Sequence, residues 1–360
     1  MVRRFSLAAI LAGLVCLGGL VVSSPHMHAA ETVPARLSDR DFWKLVTDFS
    51  EPNGNFRSDN LLSNEIWFQQ ALRPLARLTR VGGAYVGVGP EQNFTYITAL
   101  KPSIAFIVDI RRGNLDLHLM YKALFEISRD RADFVSRLFS RRPRPGLTTM
   151  ATPVQLFEAF TESAPAEDLY MRTRADIRRQ LVDQHHFALS DEDLNAVDYV
   201  LRTFYMMGPG IRYAPVGSAG GTVQPTYAEL MAVTDEVGVA KGFLANEALF
   251  AEVKDYERRN LIVPVVGNFS GPKAIRAVGK YLSAKGAFVS AFYVSNVEEY
   301  LIVDSVWNAF CANVQTLPLD GTSTFIRSIR TDGPAGFGTG FMSQLRPMKN
   351  EVKDCTNGPP

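Results

Sequence analysis

The chain has 360 residues, which is long enough for one large domain or for two domains of ordinary size. Hydrophobic residues make up 46% of it and aromatic residues 11%, so a sizeable core can form. The formal net charge is +1, which gives no overall signal for nucleic acid or for an acidic partner. We therefore expect no nucleic-acid partner.

The first thirty residues have the composition of an export signal. Arg3 and Arg4 form a positively charged start, Leu7–Val22 is apolar, and a short tail ends in small residues at Ala30. We predict that residues 1–30 are removed and that the mature protein is periplasmic or secreted. The alternative is an uncleaved segment that anchors the protein, and this segment would then be its only contact with a membrane.

Two helices are predicted before the first strand. Ser38, with Asp41 three residues later, has the pattern of an N-cap and an approximate capping box. A second helix is predicted over residues 64–78, and Ser63 stands where its cap would be. A second interpretation of this leader stays open, in which Asn64 or Glu65 contributes to a ligand site.

One stretch around residue 90 has the pattern of a strand, a turn, a helix and a second strand. Ala84–Val88 and Ile104–Ile110 are short apolar runs, as expected for buried parallel strands, and residues 90–100 fit one crossover helix. Gly87 and Gly89 lie where the first run ends. Glycines in a strand-to-helix turn let the backbone approach a ligand closely, and the helix directs free N–H groups at it.

Asp109 lies near the end of the second run, twenty residues after Gly89. Nucleotide-binding α/β sheets place at this position the acid that bonds a ribose hydroxyl. The spacing therefore predicts a half-site for a nucleoside. In the alternative interpretation, the glycines serve a tight turn and Asp109 caps the next helix.

Residues 113–258 are predicted to be a large, mostly helical insertion into the sheet. Within it, the basic stretch Arg141–Gly146 is interpreted either as a solvated helix end or as an anion site. Gly208–Gln224 is glycine-rich but lacks the Lys-Thr ending of a phosphate-binding loop, and we predict a mobile loop over the sheet edge.

The sheet is predicted to resume in the last third of the chain. Leu261–Val266 and Phe288–Val294 have the pattern of strands, and Pro264 indicates that the first of them lies at a strand end or sheet edge. Thr324–Ile329 is predicted as a last strand, in either direction. Residues 331–360 are rich in Gly and Pro and are predicted to be a tail, ordered in part at most.

Polar residues follow several of these strands, and parallel sheets bind ligands beyond the carboxyl ends of their strands. We therefore expect the strand-end residues to converge on one site, although turn formation is an alternative role for each asparagine. The residues concerned are Gly89, Asp109, Asn268 and Asn296.

Two cysteines, Cys311 and Cys355, remain after the predicted cleavage. In an oxidising compartment they can form a disulfide that joins the C-terminal tail to the body of the protein. The alternative is one buried and one exposed thiol. The chain has no Cys/His spacing typical of a metal site, and His185 and His186 are adjacent, so on a helix they point apart. We expect no metal.

The segment GVGPEQNFTY followed by IVDIRR resembles the first two motifs of class I S-adenosylmethionine-dependent methyltransferases. The later blocks VVGNFSGPKA and FYVSNVEEYL are similar to strand-end segments that line such sites. Together with SNE near residue 64, these motifs look like an uncharacterised bacterial family with a methyltransferase-like domain, over most of residues 36–330. The resemblance implies an α/β fold with a doubly wound, mostly parallel sheet.

The resemblance also implies a ligand, S-adenosylmethionine, and two sets of site residues. In that fold the glycine turn passes the methionine part and the acid binds the adenosine ribose. The cofactor-binding set is Gly87, Gly89, Glu91, Asn93 and Asp109, and the candidates on the substrate side are Asn64, Glu65, Asn268, Ser295 and Asn296.

Three functions follow for this fold. The leading expectation is an exported methyltransferase-like protein that binds S-adenosylmethionine or a related nucleoside, with an unknown acceptor. The second is a non-catalytic exported protein on the same fold that uses the helical insertion to bind a protein partner. The third is an NAD-dependent oxidoreductase, which is disfavoured because Gln92 replaces the third glycine of the dinucleotide fingerprint.

Overall fold

The computed structural model describes residues 32–213, 224–331 and 340–356. The predicted export signal and most of the predicted glycine-rich loop lie outside these residues, as do residues 332–339 of the predicted tail.

Six strands form one sheet in the described part of the chain: β1 (Ala84–Gly87), β2 (Ala105–Asp109), β3 (Ile262–Val266), β4 (Val289–Ser295), β5 (Leu319–Thr331) and β6 (Gly340–Pro347). Their order is β3-β2-β1-β4-β5-β6. Neighbours from β3 to β5 are parallel, and β6 pairs antiparallel with β5 at one edge.

The central strand β1 pairs with β2 on one side and with β4 on the other. The chain moves in one direction across the sheet from β1 to β3 and then returns to the far side of β1 for β4. Right-handed crossovers with such a reversal place helices on both faces of a sheet. The predicted α/β class with a mostly parallel sheet is confirmed.

Helices precede the sheet, connect its strands and follow the last strand. They are α1 (Asp39–Phe49), α2 (Leu72–Leu78), α3 (Gln92–Leu100), α4 (Arg112–Ile127), α5 (Arg131–Phe139), α6 (Pro153–Thr161), α7 (Glu167–Arg178), α8 (Asp191–Met207), α9 (Tyr227–Ala232), α10 (Glu247–Arg258), α11 (Ala274–Ala284), α12 (Val297–Val303), α13 (Trp307–Val314) and α14 (Met348–Glu351).

The helical insertion lies where it is predicted, between β2 and β3, and α4 is its centre. Residues Asn114–Phe125 of α4 are all buried, because the helix packs against the sheet and against α8 and α10. Four polar residues of α4 therefore lie in the interior, namely Asn114, Asp116, His118 and Lys122. Aromatic rings fill the space beside α4, with Phe125 stacked on Phe134 at 4.6 Å between ring centroids.

The first helix begins as predicted, and the second does not. Ser38 caps α1, because its side chain accepts a hydrogen bond from the Asp41 N–H at 3.1 Å. The predicted helix from Asn64 is wrong in its first half, since residues 64–67 are irregular and a 3₁₀ turn over Phe68–Ala71 leads into α2. Pro74 explains the difference, because proline fits an α-helix only within the first turn.

The C-terminal segment is more ordered than predicted. Strand β5 runs parallel to β4, and residues 340–347, expected to be part of a tail, form the edge strand β6. Cys311 and Cys355 are joined by a disulfide, which confirms the first of the two interpretations. Pro264 lies in β3, the opposite edge strand, as its position predicts.

The basic stretch after α5 is exposed to solvent from Arg142 onward, as the first interpretation predicts, whereas Arg141 is buried. The Arg141 guanidinium donates to the backbone carbonyls of Phe139 and Ser163 at 2.9 and 3.0 Å. Arg142 and Arg144 pair with the carboxylates of Asp168 and Glu162. These cations are therefore already bound within the protein.

Within the described ranges, no helix has the length and apolar character needed to cross a bilayer. The same residues contain no group of three or more His, Cys, Asp or Glu side chains placed to hold a metal ion. His185 instead lies between two carboxylates, with Nδ1 at 2.8 Å from Asp39 and Nε2 at 2.6 Å from Glu126.

Candidate functional site

A cavity of about 350 Å³ opens at the carboxyl ends of β1 to β4. This is the size expected of a pocket for a small molecule. Its walls come from the turns that follow the four strands, from residues 55–65 before α2, and from the start of α12. The cavity spans the point between β1 and β4 where the strand order reverses, which is the usual ligand position in such sheets.

Seven of the ten predicted site residues line this cavity, and three do not. Those that do are Asn64, Glu65, Gly89, Asp109, Asn268, Ser295 and Asn296. Gly87, Glu91 and Asn93 lie beneath the turn that follows β1 and are buried away from the cavity.

Asn93 holds the glycine turn in place. Its Nδ2 donates to the carbonyls of Val88, Gly89 and Pro90 at 2.9, 3.1 and 2.7 Å, and its Oδ1 accepts from the Tyr85 hydroxyl at 2.8 Å. A side chain at residue 87 would overlap Asn93 Oδ1 and the Tyr85 ring. Gly87 and Asn93 therefore position the turn. The sequence-based prediction that they contact a ligand is not met by this arrangement.

Gly89 is the part of the turn that faces the cavity. Its φ of +73° is rarely adopted by residues with a side chain, and the space beside its Cα is open. His118 Nε2 lies 2.9 Å from the Gly89 carbonyl, and it donates a proton because a carbonyl only accepts. Burial lowers the pKa of His118 to about 4, so the ring is neutral at pH 7.

Glu91 is fully buried below the same turn. Its carboxylate accepts a hydrogen bond from the Ser63 N–H, at 3.1 and 3.3 Å from its two oxygens. Burial is the largest influence on it and raises the pKa of Glu91 to about 7, against the lowering effect of the Ser63 bond. Glu91 thus connects residues 58–65 to the start of α3 and does not reach the cavity.

Asp109 is paired with Arg111. Its Oδ1 accepts from the Arg111 backbone N–H at 2.9 Å and from Nε at 3.0 Å, while Oδ2 accepts from Nη2 at 3.0 Å. Arg111 also donates to the carbonyls of Ser58 and Asp59. Helix α4 has no side-chain cap, so the alternative of Asp109 as a capping residue does not apply. One lone pair of Oδ2 remains for a ligand hydroxyl.

Glu65 is buried at the cavity wall and is held by neutral donors. Its Oε1 accepts from the Tyr293 hydroxyl at 2.7 Å and from Ser295 Oγ at 2.6 Å. Its Oε2 accepts from Gln92 Nε2 at 2.9 Å. Ser63 is therefore not a helix cap, and Glu65 lies at the cavity, where the second interpretation of the leader expects a ligand.

The asparagines after β3 and β4 lie at the cavity in different settings. Asn268 Oδ1 accepts from the N–H of Ser270 at 3.0 Å and from its hydroxyl at 2.9 Å, which is the turn-forming role given as the alternative. Asn296 precedes α12 without capping it. Ser295 has a φ of +51°, which turns the chain sharply where β4 ends.

The residues at the cavity mouth are not identified from the sequence. Arg57 Nη2 donates to the Tyr300 hydroxyl at 2.8 Å, and Phe56 contacts the Tyr300 ring edge-on at 5.2 Å between centroids. Tyr213 and Phe341 also line the cavity. An Arg beside aromatic residues in a loop near the sheet is the only sequence signal that points to this group.

A search of curated proteins finds no match to this chain. A family described as "Domain of unknown function (DUF7790)" matches residues 61–187 and 149–354. The matched residues include the whole sheet, the helical insertion and most of the cavity lining. The chain therefore belongs to the DUF7790 family, a family of unknown function.

Proposed function

We propose that the cavity binds a nucleoside-containing small molecule, with S-adenosylmethionine as the first candidate. The observation that carries this proposal is the cavity at the switch between β1 and β4, lined by Gly89 and Asp109. Gly89 allows close approach of a ligand to the backbone, and Asp109 keeps one acceptor position for a ribose hydroxyl. The aromatic rings of Phe56, Tyr213 and Tyr300 offer surfaces on which a base can stack.

On this proposal the protein is methyltransferase-like, with a methyl acceptor that remains to be found. Methyl transfer depends mainly on the alignment of donor and acceptor, which contributes several kcal/mol, roughly 7–11 in the best cases. Such a reaction does not depend on a general base at the site. Asn268 and Asn296, at the ends of β3 and β4, are the residues proposed to line the acceptor side.

Calorimetry with purified mature protein tests this function. We expect S-adenosylmethionine and S-adenosylhomocysteine to bind, and Asn64→Trp to weaken binding by about tenfold or more because the indole would fill the cavity. Val81→Trp is the matched control, since Val81 is exposed at the opposite end of β1. The absence of heat with the unaltered protein at millimolar ligand would refute the proposal.

One observation favours a second candidate, a non-catalytic binding protein on the same fold. The Asp109 carboxylate is already paired with Arg111, so its hydrogen bond to a ribose hydroxyl would be weaker than that of an unpaired carboxylate. In the same calorimeter, the absence of binding heat with both S-adenosylmethionine and S-adenosylhomocysteine would support this candidate. A titration with NAD in the same calorimeter tests the third function, an NAD-dependent oxidoreductase.

We also propose that the protein is exported. The positively charged and apolar start of the sequence supports export, and so does the disulfide, because disulfides persist in oxidising compartments.

A further inference from the structure

Glu65 is a buried acid that forms no ion pair with a cation in the described part of the chain. The side chain is 2% exposed, and all three of its hydrogen-bond donors are neutral groups. No Lys, Arg or His among the described residues forms an ion pair with it. The sequences of residues 214–223 and 332–339 contain no Lys, Arg or His either.

A buried charge without a counter-ion costs several kcal/mol of stability in order-of-magnitude terms. Two other buried acids have a cation beside them, since Asp109 pairs with Arg111 and Glu126 pairs with Lys122. Glu65, like Asp109, lines the cavity, but it has no such cation beside it among the described residues. Among the described residues, the space beside the Glu65 carboxylate is therefore the cavity in which a ligand would lie.

The hydrogen bonds of Glu65 leave room for one more donor. Each carboxylate oxygen accepts two hydrogen bonds. Oε1 already accepts two, from Tyr293 and Ser295, whereas Oε2 accepts one, from Gln92. These bonds fix the carboxylate rigidly and keep one acceptor position on Oε2.

We infer that Glu65 receives a cationic group of the ligand, a primary ammonium in the first instance. A metal ion fits less well, since the described residues offer no cluster of three or more ligands. This inference rests on the proposed function. It adds that the ligand carries a positively charged group, and that this group lies at Glu65. A nucleoside that carries an aliphatic ammonium group, such as S-adenosylhomocysteine, then binds more tightly than one without that group, such as 5′-methylthioadenosine.

Glu65→Gln is the test variant, because the surrounding groups can adapt to it. The new amide oxygen can accept the Tyr293 and Ser295 hydroxyls. The Gln92 amide can then rotate so that its oxygen accepts from the new NH₂, while the hydroxyls of Ser63 and Tyr96, which now contact Gln92, reorient. Glu257→Gln is the matched control, since Glu257 is equally buried but lies at Lys122, away from the cavity.

Two measurements decide the inference. In calorimetry, Glu65→Gln should weaken the binding of S-adenosylhomocysteine by about tenfold or more and leave the affinity for 5′-methylthioadenosine unchanged. In thermal unfolding, methylammonium chloride should raise the melting temperature of the unaltered protein and of Glu257→Gln above that in equimolar sodium chloride. It should not do so for Glu65→Gln.

The outcomes separate this inference from the proposed function. A methylammonium response that depends on Glu65, without any nucleoside binding, would support the cation site and refute the nucleoside. Nucleoside binding that is unchanged in Glu65→Gln would keep the proposed function and overturn the cation site. Equal responses of all three proteins to methylammonium and to sodium would overturn it as well.

Discussion

Asp109, the residue for which the sequence most strongly predicts a role in ligand binding, forms a buried ion pair with Arg111. The two side chains are two residues apart and share three hydrogen bonds between 2.9 and 3.0 Å when the Arg111 backbone N–H is counted. Arg111 also fastens residues 58 and 59 through their carbonyls. The pair therefore contributes to the stability of the cavity wall whatever the ligand is.

Asp109→Ala should destabilise the protein strongly. The change leaves the Arg111 guanidinium buried without its counter-ion, and breaking a buried pair in this way costs about 3–5 kcal/mol. The measurement is the free energy of unfolding in urea for Asp109→Ala and for the double variant Asp109→Leu with Arg111→Met. We expect the double variant to recover part of the loss. A loss near 1 kcal/mol for Asp109→Ala, typical of a missing helix cap, would contradict this account.

At the scale of the elements, the sequence predicts those whose pattern is local. The apolar runs of β1 to β4 and the glycine turn are recognisable because burial on both faces requires continuous apolar residues. The start of α2 is predicted wrongly, although Pro74 is visible in the sequence. The position of Pro74 is therefore a better guide to the start of α2 than the polar leader Ser63-Asn64-Glu65.

Elements that depend on distant partners are not predicted from sequence. Strand β6 follows a Gly/Pro-rich segment and is held by pairing with β5 and by the contacts of α14. Gln315 Nε2 donates to the Val352 carbonyl at 2.7 Å, and Arg327 Nη1 donates to Glu351 at 2.6 Å. These bonds join residues 24 to 37 positions apart, which no local pattern can reveal.

The same reasoning applies to the candidate site. Strand-end residues can be predicted because the topology brings the ends of parallel strands together, and most of them line the cavity. The partners of those residues cannot be predicted in this way. Nothing in the sequence pairs Glu65 with Tyr293, which lies 228 residues away, or shows that Asn93 bonds three carbonyls of its own turn.

The disulfide between Cys311 and Cys355 should stabilise the C-terminal elements. It closes a loop of 44 residues between α13 and the segment after α14, for which chain entropy gives about 4 kcal/mol. We expect a reductant to lower the melting temperature, and the double variant Cys311→Ser, Cys355→Ser to have the same low value with or without it.

The same disulfide tests the proposed export. Protein taken from its native source and kept oxidised should yield one linked peptide that disappears on reduction. Two free thiols in that protein would contradict both the pairing and export to an oxidising compartment.

At the scale of the whole molecule, several acids are buried where their charge is costly. Burial raises the pKa of Glu91 to about 7 and those of Asp116 and Glu257 to about 8. In each case burial is the largest cause, and for Glu257 it exceeds the lowering effect of Lys122. His118 is shifted in the opposite sense, since burial lowers its pKa to about 4. These groups make stability depend on pH.

The direction follows from the protons bound in each state. Between pH 4.5 and 7 the three acids hold protons in the folded protein and release them on unfolding, so each lowers stability as pH rises. His118 acts oppositely, but only up to its unfolded pKa of about 6.5. Stability should therefore fall as pH rises above about 5 and fall most steeply between about 6.5 and 7.

Glu257→Gln isolates one of these contributions. The variant cannot ionise at this position, so it should lose less stability than the unaltered protein as pH rises toward the folded pKa of about 8. The difference grows by at most about 1.4 kcal/mol per pH unit, the value for one proton. Urea unfolding from pH 5 to 8 measures it, with Glu252→Gln, a less buried acid on the same helix, as the control. Parallel profiles for Glu257→Gln and the unaltered protein would show that Glu257 is ionised in the folded state, with Lys122 as its counter-ion.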